Sequence, residues 1–388
     1  MAFQSISFQE LGVTVELSSF APAGKVAEQH AILHVEPRGE SFDGQFDRLC
    51  RAEMALLQRP QCAGAHPVFK RYFLSDAANQ QSSLTAHLAS LNAHLPTSVS
   101  CIQQPPLDGS KVAAWLYLVQ DVQVEAVPDS NLVILSHHGY RHLWQMGMCV
   151  PEGDAVCQTA CLLQSYEQFL QLYDANLADN CIRTWFYVRD VDTQYAGMVR
   201  ARRENFEQQG LTPQTHFIAS TGIEGKPADP KAIIQLGTYA VTGLLPEQQH
   251  YLYAKSHLNS TYEYGVTFER GTRVDYGDRR HVYISGTASI NNRGEVVHVG
   301  DIVRQTHRMW ENVEALLAEA ETTFDDVVQI IVYLRDTGDY DTVLQLFRQR
   351  FPQIPFVITL APVCRPTWLI EMECVAIKEL SDDRFRDF

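Results

Sequence analysis

No apolar run in this chain is long enough to cross a bilayer; the longest, near Ala113 to Val119 and Val327 to Leu334, have the length of buried strands. The opening Met-Ala-Phe-Gln-Ser-Ile-Ser-Phe-Gln-Glu has no basic segment ahead of an apolar core, so it does not read as a secretory signal. Long basic runs are also missing. With 31 Lys and Arg against 46 Asp and Glu, the formal net charge of −15 argues against nonspecific binding to nucleic acid or an anionic membrane. CxxC spacing does not occur, and the nine cysteines are odd in number and irregularly placed, which excludes a disulfide framework or structural zinc site. Most thiols therefore read as small core residues in a reducing, cytoplasmic compartment. His137, His138 and His142 have no companion carboxylate or HExxH pattern, so no metal is expected. Ser285-Gly-Thr-Ala-Ser lacks the spacing of a P-loop or dinucleotide fingerprint, and no cofactor is expected.

What is present is the composition of a folded globular protein, 45% hydrophobic and 20% charged over 388 residues. A repeat emerges when the chain is laid against itself. Gln158-Thr159 with Tyr187-Val-Arg-Asp190 matches Gln305-Thr306 with Tyr333-Leu-Arg-Asp336. In each copy a helical stretch leads to a strand, a second helix and a second strand, preceded by extended segments: Ala113 to Val124 in one, and a hairpin about Asn291 to Gly294 in the other. The turn-rich Thr221 to Pro230 reads as the connector. The expected fold is α+β, with two modules, 1–221 and 222–388, each a β-sheet with helices on one face and the site between them. Little chemistry is legible in the first hundred residues.

The segment Trp368 to Ile377 is a predicted strand interrupted by Glu371 and Glu373. Side chains alternate across a strand, so the two acids share one face, about 7 Å apart. Burial and a like-charged neighbour both raise a carboxyl pKa, which is what a general acid needs near neutral pH. Either acid fits this role; hydrogen bonding to nearby backbone is the structural alternative.

Tyr283-Ile-Ser-Gly-Thr-Ala-Ser, the Gly300-Asp-Ile-Val-Arg-Gln-Thr helix start, Tyr333-Leu-Arg-Asp and Ile-Glu-Met-Glu together resemble the RidA superfamily. The resemblance implies RidA-like (chorismate mutase-like) modules that commonly associate as trimers, with ligand clefts between modules. The arginine with which RidA-type deaminases hold a substrate carboxylate aligns with Val357, which counts against imine deamination. A narrower resemblance, from about residue 160 onward, is to the chorismatase family. It rests on Arg183-Thr-Trp-Phe-Tyr, Ala219-Ser-Thr-Gly-Ile, Tyr264-Gly-Val-Thr-Phe-Glu-Arg-Gly-Thr, Tyr276-Gly-Asp-Arg and Cys364-Arg-Pro.

That resemblance implies removal of pyruvate from chorismate, with Glu371 protonating the enolpyruvyl methylene. It places product-selecting positions at Gly277 and Cys364; glycine plus cysteine resembles the branch that forms 3-hydroxybenzoate, with 4-hydroxybenzoate as a second product of some relatives. Cys364 reads as a proton donor, an orienting thiol or a compact filler. Arg183 is the first choice for a substrate carboxylate, because a guanidinium fork suits that contact. Tyr239 and Tyr251 offer phenol hydroxyls for substrate or simple core packing. Arg200, Arg202 and Arg203 crowd one helix turn, the usual mark of a solvated face. The competing reading is a RidA-like deaminase or noncatalytic binding module pair.

Overall fold

The computed structural model describes residues 1–92, 95–128 and 130–388. They form three six-stranded mixed sheets, not two. The first holds β1 (Ala2–Phe8), β2 (Val13–Phe20), β3 (Glu28–Val35), β4 (Ala65–Leu74), β5 (Ser98–Gln103) and β6 (Val112–Gln120), with α1 (Phe42–Leu57) and α2 (Ala77–Asn92). The second holds β7 (Gln123–Ala126), β8 (Leu132–His137), β9 (Tyr140–Cys149), β10 (Cys181–Val188), β11 (Ala219–Glu224) and β12 (Ile234–Thr242), with α3 (Ala155–Gln171), α4 (Leu177–Asn180) and α5 (Val191–Gln208). The third holds β13 (Gln249–Leu252), β14 (Gly271–Asp275), β15 (Arg279–Ala288), β16 (Val327–Leu334), β17 (Phe356–Leu360) and β18 (Ile370–Glu379), with α6 (Ile302–Glu319) and α7 (Tyr340–Arg350).

Strand order is the same in all three sheets when each is counted from its own first strand: first, second, third, sixth, fourth, fifth. The fourth and fifth strands are parallel in every case, and each fourth strand carries a register shift near its start, at Pro67/Phe69, Cys181/Arg183 and Val327/Gln329. The expected two modules are therefore three. The extended run from Ala113 is the closing strand β6 of the first sheet, while the second sheet begins with its own β7 to β9. Residue 222 falls inside β11, and the 221–230 segment leads from β11 to β12 of the same sheet. Counted from the strand ends, the counterpart of Arg183 in the third module is Gln329, itself a buried polar residue.

The apolar runs follow from two-sided burial. Along β6, Ala113, Trp115, Tyr117 and Val119 join a core shared by all three sheets, whereas Ala114, Leu116 and Leu118 pack with α1 and α2 residues such as Leu49 and Leu84. A strand covered on both faces reads as a continuous hydrophobic stretch. The three inner faces meet, and the contacts close in a cycle: β5 lies against β9, β11 against β15, and β16 against β3. Backbone bridges Gln103 to Lys226, Ala219 to Glu269 and Pro106 to Thr359 cross the three boundaries. The contacts between the three modules thus close within one chain. Among the described residues no helix is long and apolar enough to cross a membrane.

Candidate active site between the second and third modules

Because side chains alternate, Ile370, Met372 and Cys374 take the helix side of β18 and the two glutamates take the inner face, where modules meet. Both are buried. Glu373 turns to the centre of the molecule and is held by all three modules. It accepts from Arg71 Nη1 of β4 (3.2 Å), Arg183 Nη2 of β10 (2.8 Å), Trp185 Nε1 (3.0 Å) and Thr221 Oγ1 (2.5 Å). Burial opposes ionisation, yet the Arg183 and Arg71 guanidiniums and these donors hold its carboxyl below the usual range. Glu371, one step closer to the strand start, lines a cavity of about 240 Å³. Burial, then the charge on Glu373, push its carboxyl up to about 8, although Arg183 and Arg270 pull the other way. One strand therefore presents a charged carboxylate and, at neutral pH, a protonated one.

The cavity is built from both modules. From the second come Tyr195, Val199 and Arg202 on α5, with Ser220 and Gly222 on β11; from the third come Arg270, Gly286, Cys364, Arg365 and Trp368. Gly286 leaves room for the acid: a Cβ there would displace the Glu371 carboxyl group. Arg202 and Arg270 are 1% and 4% exposed and flank the Phe268 ring, at 5.9 and 5.5 Å from its centroid. Arg202 Nη1 also donates to Ser220 Oγ (3.4 Å), and Arg270 Nη2 to the Asn259 carbonyl (3.2 Å). Burial, then the charge of Glu371, push the Cys364 thiol up to about 12, so it stays protonated.

The threefold repetition provides an internal comparison. At the boundary of the first and second modules, the strand pairing puts Gln235 where Glu371 stands, and Leu88, Asn131 and Asp229 where Arg202, Arg270 and Arg365 stand. At the boundary of the third and first, Arg348 and Glu16 stand where Arg202 and Arg270 do and pair with each other, beside His34 and Asp108. Among these three cavities the one with Glu371 alone gathers three arginines around a carboxylic acid.

Of the residues expected at the site, Glu371 and Cys364 line this cavity, and Arg183, Tyr239, Tyr251 and Gly277 do not. Arg183 is buried behind it, spent on Glu373, Thr221 and Ser285. Tyr239 sits in an aromatic cluster, its ring 4.0 Å from Trp144 and its hydroxyl 2.8 Å from His142 Nδ1. Tyr251 stacks on His216 at 4.1 Å. Gly277 lies under the last residues of the chain, where a Cβ would come within 2.6 Å of the Phe385 carbonyl oxygen. Arg202, read from its neighbours as part of a solvated face, is buried; Arg270 and Arg365 were already inside the quoted Glu-Arg-Gly-Thr and Cys-Arg-Pro motifs. Tyr195 carried no sequence signal. The position aligned with the deaminase arginine, Val357, is on β17 and faces the first module; its counterpart beside Glu371 is Thr221, an uncharged hydroxyl.

The Endoribonuclease L-PSP family model matches residues 273–378. A RutC family protein of Pyrococcus abyssi is 36% identical over 101 residues, 25% of this chain and 79% of that protein. The 3-aminoacrylate deaminase RutC of Acinetobacter baylyi is 33% identical over 98 residues, 24% of this chain and 77% of that one. A 3-hydroxybenzoate synthase of Streptomyces hygroscopicus is 26% identical over 237 residues, 55% of this chain and 68% of the synthase. The crystal structure of a chorismatase superposes with a TM-score of 0.63 at 18% identity, covering 82% of this chain and 96% of that one. The chain belongs to the RidA/YjgF family, and within it is related to chorismatase and 3-hydroxybenzoate synthase.

Proposed function

We propose that this protein is a chorismatase that converts chorismate to pyruvate and 3-hydroxybenzoate, with Glu371 as the general acid. The observation that carries the reading is a carboxyl group held up to about 8, buried in a cavity that also presents Arg202, Arg270 and Arg365. Chorismate carries two carboxylates, and a protein of net charge −15 needs locally gathered guanidiniums to admit it. These arginines take over the substrate-binding role first expected of Arg183.

In this mechanism the Glu371 proton passes to the methylene carbon of the enolpyruvyl group. The ether oxygen leaves the ring with the bonding electrons, which become the ketone of pyruvate. The neighbouring ring hydroxyl closes on the carbon that the ether leaves, forming an epoxide, and its proton restores Glu371; the hydroxyl's original C–O bond then opens and a ring hydrogen moves to the oxygen, so that the ring aromatises to 3-hydroxybenzoate with all atoms conserved. An acid whose pKa lies near the working pH is suited to such a transfer. Cys364, a neutral thiol beside the acid, orients the ring intermediate toward the 3-isomer. The absence of a guanidinium at Thr221 favours this reading over imine deamination.

The test is incubation with chorismate, with pyruvate and aromatic products quantified by chromatography and mass. Equimolar pyruvate and hydroxybenzoate, abolished by Glu371→Gln, are expected. Unchanged chorismate, or a Glu371→Gln variant as fast as the parent, refutes the assignment.

A further inference from the structure

The residue that follows the fourth strand of each module is Ser75, Arg189 or Arg335, and three positions later stand Ala78, Asp192 and Gly338. Both arginines hold the loop between the fifth and sixth strands of their own module. Arg189 Nη2 donates to the Pro227 carbonyl (2.7 Å), and Arg335 Nη2 to the Val363 carbonyl (2.5 Å), one residue before Cys364. Only Arg335 also reaches an acid of the preceding module: Nη2 and Nη1 fork onto Asp192 Oδ1 and Oδ2 at 2.7 and 3.0 Å. Asp192 lies in the first turn of α5, where the helix dipole favours a carboxylate, and α5 supplies Tyr195, Val199 and Arg202 to the cavity. At the corresponding boundaries the partners of this pair are Ala78 with Arg189, and Gly338 with Ser75. The fork therefore exists, of the three boundaries, only where Glu371 stands.

We infer that Arg335 is a positioning residue for the Glu371 cavity: one guanidinium joins the α5 wall to the loop carrying Cys364 and Arg365, and so sets the distance across which thiol, arginines and acid face the substrate. Its backbone N–H donates to the Leu369 carbonyl (3.0 Å), so the same residue is anchored at both ends of that loop. The kinetic consequence rests on the chorismatase reading, while the consequence for the loop does not.

The experiment compares Arg335→Gln, Arg335→Lys and Asp192→Asn with the parent, using Arg189→Gln as the control on the boundary without an acid. The first readout is alkylation of Cys364 by N-ethylmaleimide, followed on the Cys364 peptide by mass spectrometry. Asp192→Asn and Arg335→Gln are expected to speed it about tenfold, Arg335→Lys less, and Arg189→Gln not at all. The second is turnover of chorismate, expected to fall about 10- to 100-fold in Arg335→Gln, the scale of a misplaced reacting group. Cys364 alkylation at the parent rate in both Asp192→Asn and Arg335→Gln overturns the inference, as does an equal effect of Arg189→Gln. If the parent consumes no chorismate, the functional reading fails and the alkylation series still decides the role of Arg335.

Discussion

Arg183 of β10 and Glu373 of β18 meet at 2.8 Å across the boundary of the second and third modules, both all but fully buried. With Arg71 from the first module, this pair keeps one carboxylate ionised beside a second that is not. A charged Glu373 is a fixed like charge next to Glu371, and it contributes, after burial, to holding that acid protonated.

The activity should follow the ionisation of Glu371. Rate on chorismate is expected to be level through neutral pH and to fall as pH rises through about 8, where the acid loses its proton. Glu371→Gln should lower turnover by a factor of about 10² to 10⁴, the contribution of a general acid. A pH–rate profile with no basic limb between pH 7 and 9 would remove Glu371 from this role.

Stability should move with the same group. A carboxyl raised in the folded state binds its proton more tightly there than in the unfolded chain, so stability falls as pH climbs from the ordinary carboxyl range to about 8. Denaturant melts of the parent and Glu371→Gln across this window should converge at the acid end and diverge at the alkaline end, with the variant less pH-dependent. Parallel curves contradict the assignment.

Removing the central charge is expected to damage the fold more than the cavity. Glu373→Gln leaves the Arg71 and Arg183 guanidiniums without their counter-ion in the shared core, and breaking such a buried pair costs about 3–5 kcal/mol. The midpoint of urea unfolding reports this directly; a variant as stable as the parent shows that the network is neutral in the balance.

Arg202→Gln and Arg270→Gln should each raise KM for chorismate about tenfold or more, because a charge-assisted contact to carboxylate is worth about 1.5–3 kcal/mol. Lysine at either position should not restore binding fully, since it lacks the planar fork. Steady-state kinetics with KM unchanged in both would move the anion contact elsewhere.

The boundary between third and first modules carries a pH signature of its own. Against the cost of burial, Asp108 and Glu16 hold His34 up to about 9, and Glu16 in turn accepts from Arg348 and from the Phe356 backbone N–H (3.1 Å). A histidine raised in the folded state stabilises fully below its ordinary pKa, and this contribution is lost as pH rises through about 9. His34→Gln should remove that loss without touching the Glu371 cavity; unaltered pH dependence of the melting temperature would rule it out.

How much of this was readable in advance depended on the range of the interactions. The repeat of Tyr187-Val-Arg-Asp190 in Tyr333-Leu-Arg-Asp336 announced two modules because the same local job, ending a strand and pinning a loop, selects the same residues twice. The first module has Phe73-Leu-Ser-Asp76 at the equivalent place, where only the aspartate is common to all three copies and serine replaces the loop-pinning arginine, too little identity to stand out. Arg202 was misread because three arginines in one turn look solvated until a neighbouring module covers one of them. Gly277 came from the family resemblance, and Tyr239 and Tyr251 from their phenols and their place in the chain, none of which says what lies opposite; opposite are Phe385, His142 and His216.

Alternation along β18 determined by itself that Glu371 and Glu373 share a face, since a strand permits no other arrangement. It equally determined that Ile370, Met372 and Cys374 pack away from them. Which acid keeps its proton was decided only by tertiary structure: Arg71 and Arg183, brought from the two other modules, reach Glu373 and not Glu371. Periodicity is a property of one segment, whereas a pKa is set by whatever the fold places within a few ångströms.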